Sequence, residues 1–410
     1  MGQPNLLIHI NYEMKRRNVD AIVVLGDTTL GNPDLTYVVG GSLARGGIYL
    51  KRVNEQPLLL TSLLDARNAR RLGRVKNVHT LTDYGYERLT IEHGRIDAYP
   101  RLIFKVLKQL GVGGKVVLAG RNDLAWGVNL SDRLRTLGID VTGDPSPTIL
   151  ENARATKSGE ELREIRRVGN KTANLVESIL DELRSAKHKR GHLLIRRERA
   201  TVGAVKRIIS THLAHEDLTA PEGTIFATGA SSADPHNSGI PSAEIKEGKL
   251  IVFDIFPQSE SGYWFDLTRS FVIGRANKRA RCLFETVQEA QTESLDVLRE
   301  GLPAQSAMSK ACDIIEKHSF RTVRDIYSGK AQKISSGFIH SLGHGVGLTI
   351  GEEPYLSLQS LSPLRSGNVV TVEPGVYLPR IGGVRIEDTV QITANGYENL
   401  AKVRKEFELT

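Results

Sequence analysis

Four acidic residues and two histidines lie within or beside short apolar runs in the second half of the sequence. They are Asp254, Asp266, His340, His344, Glu373 and Glu387. A carboxylate that a strand carries into the protein interior raises the free energy of the folded state unless a cation or a proton neutralises it. Carboxylates combined with an imidazole are ligands for divalent metal ions that activate water. These residue types therefore direct attention to metal-dependent hydrolysis.

The first two carboxylates flank a polar stretch. Asp254 lies in the apolar run 250–256 and Asp266 in the run 263–273, with Gln258–Gly262 between them. This pattern predicts a hairpin, which would place both carboxylates on neighbouring strands. Two carboxylates so close need a shared cation, or one of them must stay protonated. The alternative for each one alone is a salt bridge, for instance with Arg269.

The histidines lie in a glycine-rich segment, residues 338–354. His340 and His344 are spaced as in the helical zinc motif His-Glu-x-x-His, but Ser341 stands where that motif has glutamate. Glycines at 343, 345 and 347 disfavour a helix and favour an extended backbone that runs close to a ligand. A purely structural role is the alternative for either histidine.

The last two carboxylates also stand in apolar surroundings. Pro374 follows Glu373 and predicts that a strand ends there, at the rim of a sheet. Glu387 lies in the run 384–392, where an ion pair with Arg385 is the alternative. Four carboxylates nearly balance two divalent ions, with room for a bridging hydroxide, so the set suits two metals.

Residues 1–150 predict an α/β domain that alternates short strands and helices. The predicted strands are Ala21–Leu25, Ile48–Leu50, Pro57–Leu60 and Lys115–Leu118, and the predicted helices are Ile8–Asn18, Leu63–Leu72 and Arg101–Leu110.

Residues 151–410 predict an α+β domain with antiparallel hairpins. Ser158 and Glu161 have the spacing of a capping box at the start of a long helix, and residues 159–216 are rich in helix formers. The predicted strands are Thr224–Ala227, Leu250–Phe256, Tyr263–Ile273, Val369–Val372 and Thr389–Ile392, with helices over about 276–299 and 305–319.

Composition excludes several classes of protein. Two cysteines among 410 residues exclude a disulfide scaffold and a four-cysteine zinc site. No secretion signal and no run of 18 apolar residues occurs, so we expect a cytoplasmic protein without a membrane span. Nine basic residues within 183–207, where Glu198 is the one acidic residue, form a basic strip that includes Arg190. No aromatic residue interleaves with it, so a solvated helical face is favoured over nucleic-acid binding.

These motifs resemble the pita-bread metallopeptidase family of methionine aminopeptidase, prolidase and aminopeptidase P. Five positions match the family's ligands in order: Asp254, Asp266, His344, Glu373 and Glu387. Residues 32–40 and 154–162 resemble the creatinase/prolidase-type N-terminal domain and its linker. The resemblance covers nearly the whole chain and implies such a domain over residues 1–150, followed by a pita-bread catalytic domain over 151–410. It favours the prolidase and aminopeptidase P branch.

The resemblance also implies roles for individual residues. Two ions per chain (Mn, Co, Fe or Zn) would be held by Asp254 on one side and by His344 and Glu373 on the other, bridged by Asp266 and Glu387. A bridging hydroxide would attack the scissile carbonyl, with Glu373 as general base. The matching positions imply that His236 contacts the scissile amide or leaving nitrogen, that His340 is a second active-site histidine and that Arg385 orients Glu387.

The implied activity is exopeptidase cleavage of Xaa-Pro bonds in short peptides, because the metals would hold the free amine, and a homodimer is the family expectation. The sequence departs from the pattern at Gly351, where the peptidases have a histidine that contacts the substrate carbonyl. Asp254 and Asp266 are 12 residues apart, one more than the commoner spacing, and Phe256-Pro257 follows Asp254 where many members have glycine.

Two other functions stay open. A metal-free relative such as creatinase would cleave a different C–N bond, but it has no reason to gather four carboxylates. A catalytically altered or inactive relative, acting on another substrate or as a binding protein, is suggested by Gly351 and by the basic strip. Metal content tests the first alternative, and peptide turnover tests the second.

Overall fold

The computed structural model describes residues 3–40, 43–189 and 192–410. The chain forms two compact units, of which the first ends at Arg154 and the second begins at Ala155. The first unit is α/β and the second is α+β, as the sequence predicts.

The first unit is built on a six-stranded sheet in the order β4-β3-β2-β1-β5-β6. Strand β1 pairs antiparallel with β2 and parallel with β5. Consecutive buried apolar residues explain why β1, β2 and β3 form, since a strand covered on both faces carries no polar alternation. The strands are β1 (Ala21–Gly26), β2 (Gly47–Arg52), β3 (Leu58–Thr61), β4 (Asn77–Thr80), β5 (Val116–Ala119) and β6 (Val141–Thr142).

Among residues 3–40 and 43–155, six α-helices accompany this sheet. They are α1 (Gln3–Arg16), α2 (Pro33–Val39), α3 (Leu63–Leu72), α4 (Tyr86–Gln109), α5 (Leu124–Thr136) and α6 (Ile149–Ala155). The Ser62 side chain accepts a hydrogen bond from the Asp65 N–H and so fixes the start of α3. The helix predicted over Arg101–Leu110 is the last part of the longer α4, which is interrupted at Gly94 by a positive φ.

Five α-helices lie within the described residues of the second unit. They are α7 (Gly159–Arg184), α8 (Val202–His215), α9 (Lys278–Asp296), α10 (Gln305–Lys317) and α11 (Arg324–Tyr327). The capping box of Ser158 and Glu161 is present at the start of α7. The helix-rich stretch 159–216 is interrupted by a three-stranded sheet, so the prediction of helix is wrong between α7 and α8.

The strands of the second unit follow in chain order. They are β7 (Lys187–Lys189), β8 (His192–Ile195), β9 (Glu198–Arg199), β10 (Leu218–Thr219), β11 (Thr224–Thr228), β12 (Ile251–Ile255), β13 (Gln258–Ser259), β14 (Leu267–Ile273), β15 (Gly343–Val346), β16 (Ile350–Leu356), β17 (Val369–Val372), β18 (Gly375–Leu378), β19 (Gly382–Arg385), β20 (Asp388–Ile392), β21 (Tyr397–Asn399) and β22 (Glu408–Leu409).

Two sheets of this unit position the candidate site. One has the order β11-β12-β14-β22, and the other has the order β16-β15-β17-β20-β21. Helices α9 and α10 share one apolar core with strands β17 to β20, including Val287, Ile315, Val372 and Val384. Burial of this core fixes the strand ends from which the acidic residues project.

Four of the nine basic residues in the basic strip form ion pairs within the described part of the chain, Arg199 with Glu244 among them. Arg184 pairs with Glu406, Arg196 with Glu182, and Arg207 with Glu198. The middle of the strip lies on β7 to β9 and not on the predicted helical face. Arg190 lies outside the described residues. In the described ranges, no helix is long and apolar enough to cross a membrane.

Candidate active site

Two neighbouring strands bring Asp254 and Asp266 together. Strands β12 and β14 are antiparallel, and Asp254 lies opposite Thr268. Asp266 comes two residues before Thr268, and alternate residues of a strand share a face. Both carboxylates therefore project from the same face, and both residues are buried.

The connection between these strands is a longer structure than the predicted turn. Gln258 and Ser259 form β13, which pairs with β10. The hydroxyls of Ser259 and Ser261 donate to Glu164 Oε1 at 3.2 and 2.5 Å. These bonds to α7 hold the connection in place, so the 12-residue spacing leaves the carboxylates side by side.

Close backbone packing positions His344 on β15. A Cβ atom at Gly343 would lie 2.0 Å from the Thr371 carbonyl oxygen, and one at Gly345 would lie 2.4 Å from the Glu353 carbonyl oxygen. Only glycine fits there, which confirms the prediction of an extended glycine-rich segment. His344 Nε2 lies 3.4 Å from Glu373 Oε1 and 3.6 Å from Asp266 Oδ2.

Strands β17 and β20 place the two glutamates beside each other. Val372 lies opposite Asp388 in this antiparallel pair, so Glu373 and Glu387 are the next positions beyond it. The Thr371 hydroxyl donates to Glu373 Oε1 at 3.0 Å. All five carboxylate and imidazole positions predicted from sequence therefore converge at one place in the second unit.

Three carboxylates leave an oxygen without a hydrogen-bond partner. Asp254, Asp266 and Glu387 each offer one oxygen within 4.8 Å of the others. Among the described residues, Asp254 Oδ1, Asp266 Oδ1 and Glu387 Oε1 are buried and have no hydrogen-bond partner. Three neighbouring carboxylates that each keep a buried oxygen unpaired suit a cation, which supplies the missing interactions.

Burial and mutual repulsion raise the pKa values of the cluster. The pKa of Asp266 lies well above its ordinary value because the group is desolvated and faces Glu387 and Asp254. Burial and the charges of Glu373 and Asp254 raise the pKa of Glu387 in the same direction. Burial raises the pKa of Glu373 to about 7, with a further contribution from Asp254. A divalent cation would relieve this repulsion, so the residues present fit a metal site.

Arg385 contacts Asp254 directly and Glu387 through Thr268. Its Nη2 donates to Asp254 Oδ2 at 2.5 Å, and its Nε donates to the Thr268 hydroxyl at 3.3 Å. The Thr268 hydroxyl in turn donates to Glu387 Oε2 at 2.6 Å. The salt-bridge alternative is therefore met for Asp254, which pairs with Arg385, whereas Arg269 pairs with Asp388 instead of either aspartate.

Both ring nitrogens of His340 are engaged. His340 Nδ1 faces the Ser341 carbonyl, which only accepts, so Nδ1 carries the proton of the neutral ring and Nε2 accepts from the Tyr377 hydroxyl, 3.0 Å away. The Tyr377 oxygen in turn accepts from Arg385 Nη1 at 2.8 Å. His340 Nδ1–H then donates to the Ser341 carbonyl at 2.7 Å. Burial, aided by the positive charge of Arg385, lowers the pKa of His340 to about 3. The ring is neutral and has no free nitrogen for proton transfer.

His236 lies in an exposed loop beside this network. It follows the short 3₁₀ helix Gly229–Ala233, and its backbone N–H donates to Asp234 Oδ1 at 3.3 Å. The preceding residue, Pro235, accepts a hydrogen bond from Arg385 Nη1 at 3.2 Å. That bond ties the loop to the acidic cluster and leaves the His236 side chain open to an incoming molecule.

Gly351 adopts a backbone conformation that favours glycine. Its φ is +77°, and a Cβ there would meet only the Tyr355 hydroxyl, at 3.7 Å. Its N–H lies 3.2 Å from His344 Nδ1, which also lies 3.1 Å from the Gly345 carbonyl oxygen. The departure from the family pattern is thus located directly behind the imidazole of the cluster.

Sequence reasoning did not identify Thr268 or Tyr377 as parts of the site. Thr268 comes two residues after Asp266, and Tyr377 comes four residues after Glu373. Both spacings place the side chain near a cluster carboxylate, but a hydroxyl within an apolar strand carries no chemical signature of its own.

Comparison with known proteins identifies the family. The model of metallopeptidase family M24 matches residues 163–394, which include all five positions of the cluster. This chain belongs to metallopeptidase family M24. The predicted family and the predicted peptidase class are thereby confirmed, and membership of M24 implies the use of divalent metal.

Several known proteins resemble the chain over most of its length. A Xaa-Pro dipeptidase of Pyrococcus horikoshii is 27% identical over 395 residues, covering 96% of both chains. Another from Pyrococcus furiosus is 34% identical over 260 residues, 63% of this chain and 66% of that protein. The crystal structure of the Pyrococcus horikoshii prolidase has a TM-score of 0.74 at 25% identity and covers 98% of this chain and 99% of its own. This likeness confirms the predicted pita-bread fold.

Proposed function

We propose that this M24 protein is a dinuclear metal-dependent exopeptidase that hydrolyses Xaa-Pro bonds of short peptides. The observation that carries the proposal is the convergence of four carboxylates and one imidazole, with three buried carboxylate oxygens unpartnered among the described residues. The names of the Pyrococcus relatives support the Xaa-Pro specificity.

Five residues would hold the metal: Asp254, Asp266, His344, Glu373 and Glu387. Four carboxylates nearly balance two divalent ions, which supports two per chain, and an oxygen-rich site with one imidazole accepts Mn, Co, Fe or Zn. When bound, such ions supply Lewis acidity that activates water and polarises a carbonyl. His344 would bind through Nε2, which requires the proton on Nδ1. That proton would donate to the Gly345 carbonyl at 3.1 Å, and Nδ1 would then no longer accept the Gly351 N–H at 3.2 Å.

Glu373 is proposed as the general base. It lies just beyond β17, and the Thr371 hydroxyl holds its Oε1. Burial raises its pKa to about 7 in the metal-free protein, so the carboxylate exchanges protons near neutral pH. It would accept the proton of the attacking water and pass it to the leaving nitrogen.

The two histidines have different proposed roles. The exposed His236 side chain would contact the scissile amide or the leaving nitrogen. Both nitrogens of His340 are hydrogen-bonded, to Tyr377 and Ser341, so this residue would not transfer a proton. Its neutral ring would instead line the active site. Arg385 would hold Asp254 directly and Glu387 through Thr268.

Hydrolysis of defined peptides tests this function. The protein is loaded with Mn²⁺, Co²⁺ or Zn²⁺ and supplied with Xaa-Pro dipeptides, Xaa-Pro-Xaa tripeptides and the matching Xaa-Ala peptides. We expect cleavage of the proline peptides, and the preferred length separates prolidase from aminopeptidase P activity. N-acetylated peptides serve as the control, since an exopeptidase that holds the free amine leaves them intact. A homodimer and a cytoplasmic location remain predictions.

Gly351 favours a second candidate, an altered or inactive relative that acts on another substrate or as a binding protein. Removing one donor to a developing oxyanion lowers the rate by roughly 10²–10³. His340 does not replace the donor in this conformation, because neither of its nitrogens is free. A folded protein that binds two metal ions per chain but cleaves none of the peptides would favour this candidate.

A further inference from the structure

Thr268 lies between the arginine and one glutamate of the cluster. It belongs to β14 and is fully buried. Its hydroxyl oxygen is 3.3 Å from Arg385 Nε and 2.6 Å from Glu387 Oε2. No other hydrogen bond to the Glu387 carboxylate is found in the described part of the chain, since Oε1 is without a partner.

The direction of both hydrogen bonds is fixed by the chemistry of the groups. A guanidinium N–H only donates, so the Thr268 oxygen accepts from Arg385. A hydroxyl has one proton, which is then available only for Glu387. The chain Arg385 to Thr268 to Glu387 thus favours a carboxylate at Glu387 and fixes which of its oxygens is used.

We propose that Thr268 is a positioning residue for Glu387, an inference that rests on the proposed function of the cluster as a metal site. By holding Oε2, the hydroxyl leaves Oε1 available to a cation in the cluster that Glu387 forms with Asp254 and Asp266. Asp254 is held in the same way, since Arg385 takes its Oδ2 and leaves Oδ1 unpartnered. One buried arginine therefore sets two carboxylates, one directly and one through Thr268.

The backbone hydrogen bonds of Thr268 do not involve its hydroxyl, so the side chain can be tested without disturbing the strand. The Glu387 N–H donates to the Thr268 carbonyl at 3.1 Å, and Arg269 Nη1 donates to the same carbonyl at 2.9 Å. Substitution of the side chain leaves these bonds in place. Thr268→Val keeps the shape and removes only the hydroxyl, whereas Thr268→Ser keeps the hydroxyl and removes a methyl group.

The test is titration of metal-free protein with Mn²⁺ by calorimetry, together with kcat and KM of the loaded enzyme. We expect Thr268→Val to bind Mn²⁺ about 10- to 100-fold more weakly, the usual effect of losing a partner of a metal ligand. Thr268→Ser should retain the wild-type affinity. Thr172→Val is the matched control, since Thr172 is a buried threonine in α7 that bonds only the Val168 carbonyl.

Thermal unfolding of each metal-free variant checks that it is folded. If Thr268→Val does not fold, Thr268→Ala removes the same hydroxyl without adding a methyl group and takes its place. Wild-type Mn²⁺ affinity in a folded variant without the hydroxyl overturns this inference alone, as does an equal loss in Thr268→Ser. Wild-type protein that takes up none of Mn²⁺, Co²⁺, Fe²⁺ and Zn²⁺ overturns the proposed function and this inference with it.

Discussion

Arg385 contacts three groups that set the geometry of the acidic cluster. Its guanidinium donates to Asp254, to the Tyr377 hydroxyl and to Thr268. The arginine is buried, and its charge opposes the repulsion that raises the pKa values of the neighbouring carboxylates. One positive charge does not balance four carboxylates, so the cluster still suits a divalent cation.

Asp266 is the position at which a single substitution should affect the whole metal site. Its carboxylate lies near His344 and within reach of Asp254 and Glu387. We predict that Asp266→Ala loses both metals and all activity, measured by metal analysis after dialysis. Asp132→Ala, at an exposed position of α5, is the control. Stoichiometric retention of both metals by Asp266→Ala would rule out the proposed ligand set.

The raised pKa of Glu373 predicts how the stability of metal-free protein depends on pH. Between its ordinary value of 4.5 and about 7, the folded protein holds a proton that the unfolded chain has released. The free energy of unfolding therefore falls as pH rises through this window, by about 1.4 kcal/mol for each pH unit.

Urea denaturation of chelator-treated protein at pH 5 and pH 8 measures this dependence. The wild type should lose free energy of unfolding between pH 5 and pH 8 through this carboxyl group. Glu373→Gln cannot titrate and should lack this loss. If the free energy of unfolding changes by the same amount between pH 5 and pH 8 in the wild type and in Glu373→Gln, the assigned pKa is contradicted.

His340 should influence catalysis without binding metal. Its nitrogens are bonded to Tyr377 and Ser341, and its pKa near 3 keeps the ring neutral. We predict that His340→Ala lowers kcat while metal content stays at the wild-type level, and that the wild-type pH profile from 5 to 9 shows no ionisation of this residue. His318→Ala, in a surface pair with Glu289, is the control. Loss of metal from His340→Ala would make it a ligand.

At the scale of the strand, the glycines of β15 allow the close backbone packing that positions His344. A Cβ at Gly345 would overlap the backbone carbonyls of Glu352 and Glu353, at 2.5 and 2.4 Å. We predict that Gly345→Ala separates β15 from β16 and displaces His344, so that both the midpoint of thermal unfolding and the metal affinity fall. Gly127→Ala lies within α5, meets nothing within 4 Å and should be neutral or stabilising. Unchanged metal affinity in Gly345→Ala would show that β15 tolerates a side chain.

Elements with a strong local signal are predictable from sequence. β17 and α3 have the bounds that the sequence predicts, because an uninterrupted run of β-branched residues marks β17 and a serine cap marks α3. The start of α4 is not predictable, because Gly94 interrupts it and its first turns are exposed and polar. The turn between β8 and β9 has positive φ at Arg196 and Arg197. Arginine is not a residue type that predicts such a turn, which glycine and asparagine favour.

The same distinction applies to the site. Carboxylates and histidines are recognisable because burying them requires neutralisation, so the five cluster positions follow from sequence and family resemblance. The Thr268 and Tyr377 hydroxyls are not recognisable, because each acts through hydrogen-bond geometry that only the packed strands create. The partner of Arg385 is likewise set by how β12 packs against β19, and sequence spacing points to Glu387 instead of Asp254.

At the scale of the whole molecule, the second unit alone carries the M24 match and the entire acidic cluster. The first unit has its own sheet and apolar core, including Val23, Leu50 and Ile103. Gly351 stands where the peptidases have a substrate-binding histidine, so this chain could bind metal without cleaving peptides. Activity and metal content must therefore be measured on the same protein.

The most direct test of the central claim is to titrate chelator-treated protein with Mn²⁺ while following both bound metal and Xaa-Pro dipeptide and tripeptide hydrolysis. We predict that turnover is absent without metal and reaches its maximum at about two ions per chain, the number that four carboxylates nearly balance. Turnover that survives removal of all metal, or folded protein that holds two ions per chain and cleaves no peptide, would contradict the account.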